Sequence, residues 1–214
     1  MSDRKSYQPF ISHHAVVLAG FALIITTLLA VTNYSTRSLV AKNEKQQREK
    51  IFLEILPAHN YDYPLDHFQL QIIDSNTQLR RICYIAVLDG TPVATVITAT
   101  AADGYTGKIE LLVGIMADGT VSGVRVTKHS ETPGLGDAIE LHRSQWIKTF
   151  DGRSLTSPTE SGWALRKDNG AFDQFTGATI TPRAVVNEVK NTLLFFKQHK
   201  TQILDEMNYE QIHQ

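Results

Sequence analysis

The 214-residue chain reads as an α+β protein, an antiparallel sheet with packed helices preceded by one N-terminal transmembrane helix. Three observations predict this. Two Val/Ile/Thr-rich hairpins carry Asp-Gly turns, an amphipathic stretch follows them near the C-terminus, and an 18-residue run without a charge lies near the N-terminus. Strands that come first, with helices segregated after them, argue against a repeated βαβ arrangement.

The uncharged run, Ala15 to Thr32, has flanks that extend it enough to cross a hydrocarbon layer of about 30 Å. Arg4 and Lys5 precede it, as they would a signal peptide, but the run is long for one and no Ala-x-Ala cleavage site follows. An uncleaved anchor is the expectation. The predicted organisation is a tail over 1–14, a membrane helix over 15–34, a helical stalk over 35–57 and a domain over 58–214. Pro57 ends the stalk, and Asn60 to Asp66 reads as a connecting loop.

Ile82 to Leu88 and Val93 to Thr100 flank Asp89-Gly90-Thr91-Pro92. Lys108 to Met116 and Val121 to Lys128 flank Ala117-Asp118-Gly119-Thr120 in the same way. Four antiparallel strands result. Ala138 to Phe150 then reads as a helix, with Ile139, His142, Trp146 and Ile147 near helical spacing. Residues 151–170 are loop-rich. Thr181-Pro182 reads as an N-cap followed by proline at the first helical position, and Ala184, Val185, Val186, Val189, Leu193 and Leu194 continue an amphipathic helix.

Charge divides the chain. Residues 1–50 hold seven Lys/Arg against three Asp/Glu, a balance of +4, and residues 51–214 hold fourteen against nineteen, a balance of −5. An acidic domain gives no reason to expect nucleic acid, and the basic segment fits membrane-flanking charge facing lipid. Cys83 is the only cysteine, so no intramolecular disulfide, iron–sulfur centre or cysteine-based zinc site forms within the chain. Its place in a strand predicts a buried, inert thiol.

Gly134-Leu135-Gly136 lacks the third glycine and the strand-turn-helix setting of a dinucleotide site, and reads as a tight turn between strand and helix. His129, with Glu131 two residues on, has no second ligand spacing, so a metal pair is not expected. No hydrolase or nucleotide-hydrolysing motif occurs. Asp173-Gln174-Phe175-Thr176-Gly177-Ala178-Thr179 crowds small residues and hydroxyls just before the last helix. Free N–H groups at a helix start, approached closely past Gly177 and Ala178, suit a phosphate, although such a turn also occurs as plain structure.

The Asp173-to-Thr179 segment resembles the attachment signature of the covalent FMN-binding domain family. The likeness extends through Gly104-Tyr105-Thr106-Gly107-Lys108-Ile109-Glu110, Asp118-Gly119 and Gly123-Val124-Arg125-Val126 to Glu131-Thr132-Pro133-Gly134-Leu135-Gly136-Asp137. With the short anchor, it is similar to the branch found in Rnf-type (Rsx) membrane electron-transport complexes. Asn169 and Pro182 depart from commoner family residues, and neither change removes a group that attachment needs.

The resemblance implies that Thr179 carries FMN through a phosphoester, with Thr176, Gly177 and Ala178 shaping the attachment turn. Glu131, Thr132, Gly134, Leu135 and Gly136 are implied to lie beside the flavin, the amides of Gly134 to Gly136 bonding the ring and Leu135 covering it. Asp173 is implied to serve recognition by the flavin transferase that installs FMN. Such a chain would be an electron carrier without its own substrate-turnover site. Its partners would be membrane subunits of a complex that couples electron flow, commonly between reduced ferredoxin and NAD, to cation transport. The resemblance implies a periplasmic flavin domain on a bacterial inner membrane. Arg37, Lys42, Lys45, Arg48 and Lys50, after the span, argue for the cytoplasm by the positive-inside count. Two other readings stay open: the longer C subunit of a sodium-translocating NADH:quinone reductase, and a non-redox assembly or scaffold subunit.

Overall fold

A computed structural model describes residues 8–56, 61, 62, 64–74 and 77–204. Arg4, Lys5, Pro57, which was expected to end the stalk, and part of the segment expected to form the 60–66 loop lie outside the described residues. Contacts divide the chain into two units, 1–48 and 49–214.

The described residues of the first unit are helix. α1 runs unbroken over Gln8–Ile55, and its described side chains between residues 14 and 50 are all exposed. One helix, and one only among the described residues, is long and apolar enough to cross a membrane. Its threonines suit an apolar medium: the hydroxyls of Thr27 and Thr32 donate to the carbonyls of Leu23 and Leu28 at 2.7 and 2.8 Å, so neither polar group needs an outside partner.

The second unit is built on a five-stranded antiparallel meander: β1 Gln69–Ile73, β2 Arg80–Leu88, β3 Thr91–Ala101, β4 Ile109–Met116 and β5 Val121–Lys128, in that spatial order. Four of these strands are the predicted ones. β1 is additional, a short edge strand in which Ile72 alone is buried. Asp89 and Gly90 both take positive φ, +50° and +77°, which gives the β2–β3 turn the twist a two-residue hairpin needs.

The strand period of two sorts side chains onto two faces. On one face Cys83, Ile85, Ile97, Leu111 and Val113 meet α2 (Ile180–Ile203) through Val185, Val186, Val189 and Phe196, with Ile147, Phe150, Trp163 and Phe172 closing the core. On the other, Tyr84, Ala86, Ala94, Val96 and Leu112 receive Phe52, Ile55 and Leu56 from the end of α1. Gly114 and Gly123 make this seat. A Cβ on Gly114 would come within 2.2 Å of Ile55 Cγ2. Arg125 completes it, its Nε donating to the Glu54 carboxylate at 2.8 Å and its Nη2 to the Glu54 carbonyl at 3.3 Å, a cation on the exposed carbonyl end of the helix.

Two expectations are corrected. Ala138 to Phe150 is not one helix but two 3-10 segments, Gly136–Ile139 and Gln145–Phe150. Glu140 leaves the helix (ψ 137°) with its carboxylate drawn to His129 and His142. Ser144 is extended, and its hydroxyl accepts the Trp146 N–H, the local competition that ends helices at serine. Secondly, α2 starts at Ile180, so Thr179 is the N-cap residue and Thr181-Pro182 lies inside the first turn. Proline is tolerated there because the first N–H groups of a helix have no intrahelical acceptor.

Candidate functional site

Three segments converge at the start of α2. The first is the turn that ends in Thr179. Phe175 C=O accepts the Ala178 N–H at 3.2 Å, and Gly177 takes φ +83°, a conformation that favours glycine. Trp146 holds the turn from the core side. Its indole N–H donates to the Asp173 carbonyl at 2.8 Å, and its ring meets Phe175 edge-on at 5.0 Å. Thr179 is half-buried, its carbonyl accepts the Arg183 N–H at 3.3 Å, and its side chain makes no capping bond. That is unusual for threonine at an N-cap, where the hydroxyl ordinarily accepts an N–H of the first turn.

The second segment is the loop after β5. Thr132 C=O accepts the N–H of Leu135 (3.1 Å) and of Gly136 (3.0 Å), while Gly134 N–H donates to Asp137 Oδ1 (2.8 Å). All three amides therefore have partners inside the loop. His129 fixes the base of the loop: Nδ1 accepts the Glu131 N–H at 3.0 Å, so the ring proton sits on Nε2, facing Glu140 at 2.8 Å. The third segment is Gly104 to Gly107, between β3 and β4, which presents Tyr105 to solvent.

Glu131 joins all three. Its carboxylate is buried; Oε1 accepts both the N–H (3.0 Å) and the hydroxyl (3.1 Å) of Thr106, and Oε2 accepts the hydroxyl of Thr181. Between the segments lies a cavity of about 310 Å³ lined by Tyr105, Glu131, Thr132, Leu135, Gly136, Gly177, Ala178, Thr179, Ile180 and Thr181. It is near the lower end of the range typical of ligand sites.

The cavity thus gathers Thr179, Gly177, Ala178, Glu131, Thr132, Leu135 and Gly136. Thr176, Gly134 and Asp173 stay off the lining. Asp173 is exposed, its carboxylate 3.0 Å from Arg166 Nε. Sequence reasoning missed Tyr105 and Ile180 as wall residues, and read Thr181 as a cap. The missed signal was exposure: Tyr105, Leu135 and Ile180 are exposed apolar side chains that all border this one cavity. From Glu49 on, the only other large exposed apolar residues among those described are Leu53, Ile73, Leu79 and Leu194. Clustered exposed apolar surface of this kind marks a place that a ligand or partner covers. No cationic side chain lines the cavity, so an anion there would rest on the N-terminal dipole of α2. Among the described residues no set of three His, Cys, Asp or Glu side chains is arranged to hold a metal.

A flavin phosphate fits these residues. The Thr179 hydroxyl is uncommitted at the cavity edge, the helix start supplies dipole and free N–H groups, and the apolar collar offers surface to a flat ring.

Comparison with known proteins agrees. Residues 104–194 match the family described as FMN-binding domain, and residues 1–55 match the RnfG N-terminal region. The chain is 44% identical over 202 residues to the G subunit of the ion-translocating oxidoreductase complex of Pseudoalteromonas atlantica, covering 92% of this chain and 94% of that one. The protein of the same name from Escherichia coli K12 is 46% identical over 187 residues (86% and 90%), and that from Pseudomonas aeruginosa UCBPP-PA14 is 43% identical over 196 (89% and 91%). An anchor helix, an α+β domain built around the 104–194 region and near full-length similarity together place this chain in the family of ion-translocating oxidoreductase complex G subunits.

Proposed function

We propose that this protein is the membrane-anchored flavoprotein subunit of an ion-translocating oxidoreductase complex, carrying FMN as a phosphoester on Thr179. The observation that carries the proposal is the Thr179 hydroxyl, which makes no bond to its own helix and borders a cavity that combines the exposed apolar side chains Leu135 and Ile180 with a helix N-terminus. A bound FMN would supply exchange of one or two electrons, while the protein positions it and tunes its potential.

Attachment would join Thr179 Oγ1 to the phosphorus of the flavin phosphate, with a flavin pyrophosphate as donor; the bond to its nucleotide phosphate would break, the hydroxyl proton would leave with that monophosphate, and no electron would change hands. Exposed Asp173, outside the cavity, is the contact for the flavin transferase. Gly177 and Ala178 let the donor approach, Thr176 flanks the turn, and Thr132, Leu135 and Tyr105 border the flavin. The remaining partners are the other subunits of the complex and the lipid around α1.

The flavin domain lies in the periplasm of a bacterial inner membrane. This follows the family, since the positive charges after the span are interleaved with Glu44 and Glu49 and precede a long domain, for which the positive-inside count is weak.

Denaturing electrophoresis of protein co-expressed with its flavin transferase tests the attachment. A fluorescent band is expected from the wild type and none from Thr179→Val at equal protein abundance. A band of equal brightness in the variant would move the attachment elsewhere, and no band in either would favour the scaffold reading.

A further inference from the structure

Glu131 is an enclosed carboxylate with no cation against it. None of the ion pairs among the described residues includes it, and its hydrogen-bond donors are the amide and hydroxyl of Thr106 and the hydroxyl of Thr181. Burying a charge on neutral donors is costly unless the donors are fixed and plentiful. The surroundings are built to fix them. A Cβ on Gly136 would fall 2.9 Å from Glu131 Cβ and 3.1 Å from Thr181 Oγ1, and one on Gly104 would fall 3.0 Å from Glu131 Oε1. Glycine at both places lets two loops close onto the carboxylate. Thr181 is itself buried, so its hydroxyl is spent on this bond.

Thr181 stands two residues after Thr179, in the first turn of α2. A bond that draws Thr181 inward sets the rotation of that turn about the helix axis, and with it the direction in which Thr179 presents its oxygen. The carboxylate also sits at the positive end of the helix, where a negative group is favoured. We infer that Glu131 and Thr181 are positioning residues for the covalent loading of Thr179: the pair locks the helix start to the two loops and aims Oγ1 along the line of attack. The inference rests on the reading that Thr179 receives the flavin. It gives Glu131, at the cavity lining, a role that acts through Thr181.

The test uses the full-length chain, purified without flavin in detergent and incubated with its flavin transferase and a flavin pyrophosphate donor, with fluorescent labelling followed over time. Thr181→Val removes the hydroxyl at nearly constant shape and is expected to lower kcat for labelling about tenfold to a hundredfold, the scale of a small misplacement of a reacting atom. KM should hold, since Asp173 and its surroundings are untouched. Thr181→Ser restores the hydroxyl and should restore the rate. In a Glu131→Gln background, Thr181→Val should cost markedly less, because the two act as a unit. Wild-type labelling by Thr181→Val, slow labelling by Thr181→Ser, or equal losses in both backgrounds would overturn the inference. If Glu131→Gln does not fold, the Val and Ser variants at position 181 decide the matter, with melting curves showing that each is folded. Persistent labelling of Thr179→Val would instead sink the attachment reading beneath it.

Discussion

Gly134 and Gly136 are two residues apart and matter for opposite reasons. Gly134 has φ +78° and open space where a Cβ would go, whereas Gly136 has no room for one. The crowding at Gly136 is against Glu131 and Thr181. Gly134→Ala should therefore cost about 1 kcal/mol through backbone conformation and leave the rate of flavin loading unchanged. Gly136→Ala should cost about 1–3 kcal/mol through overpacking and slow loading as well. Urea midpoints and labelling rates on the two variants check this, and equal behaviour of both would show that the loop gives way without disturbing Thr181. The turn that ends in Thr179 stood out in the sequence, and the structure adds its place on the cavity lining. Thr181 was not, because its side chain answers to a carboxylate 50 residues earlier in the chain, and a Thr-Pro pair alone reads as a helix start.

Secondary structure was legible where it is set locally. The Asp-Gly turn between β2 and β3 and the Val/Ile/Thr-rich runs around it need no distant partner, and both predicted hairpins formed. The segment after β5 was misread because its break at Glu140 is made by His129 and His142 together with the Ser144 cap, none of which a 3.6-residue period registers. β1 was missed because it is a short edge with one buried residue, although Phe68, Leu70 and Ile72 alternate. β2 carries the element-scale prediction. Burial pushes the Cys83 thiol up to about 12, Arg81 opposing only in part, so it stays protonated across the working range. The raised value means any stability tied to the protonated thiol is present at neutral pH and lost only as pH climbs toward 12. Iodoacetamide at pH 8 should leave the native protein unmodified and react as denaturant opens the sheet. Labelling without denaturant would show that β2 opens locally.

At the scale of the whole molecule the composition announced the anchor, and the +4 to −5 change in balance announced two environments. Side was not legible, since the charges after the span and the family likeness point in opposite directions. Protease added to spheroplasts is expected to remove the domain while the inner membrane is intact; protection until the membrane is broken would place the flavin on the cytoplasmic face. The cavity walls were only partly legible because they come from three separate turns, and nothing in any one of them names the other two. The uncommitted hydroxyl at the head of α2 bears on the order of events in biogenesis. Modification of Thr179 would break no bond that holds the helix, and the aromatic and aliphatic core lies apart from the cavity walls. On the reading that Thr179 receives the flavin, the core can close first and loading becomes a separate, later event, timed by the supply of flavin and transferase rather than by the synthesis of this subunit.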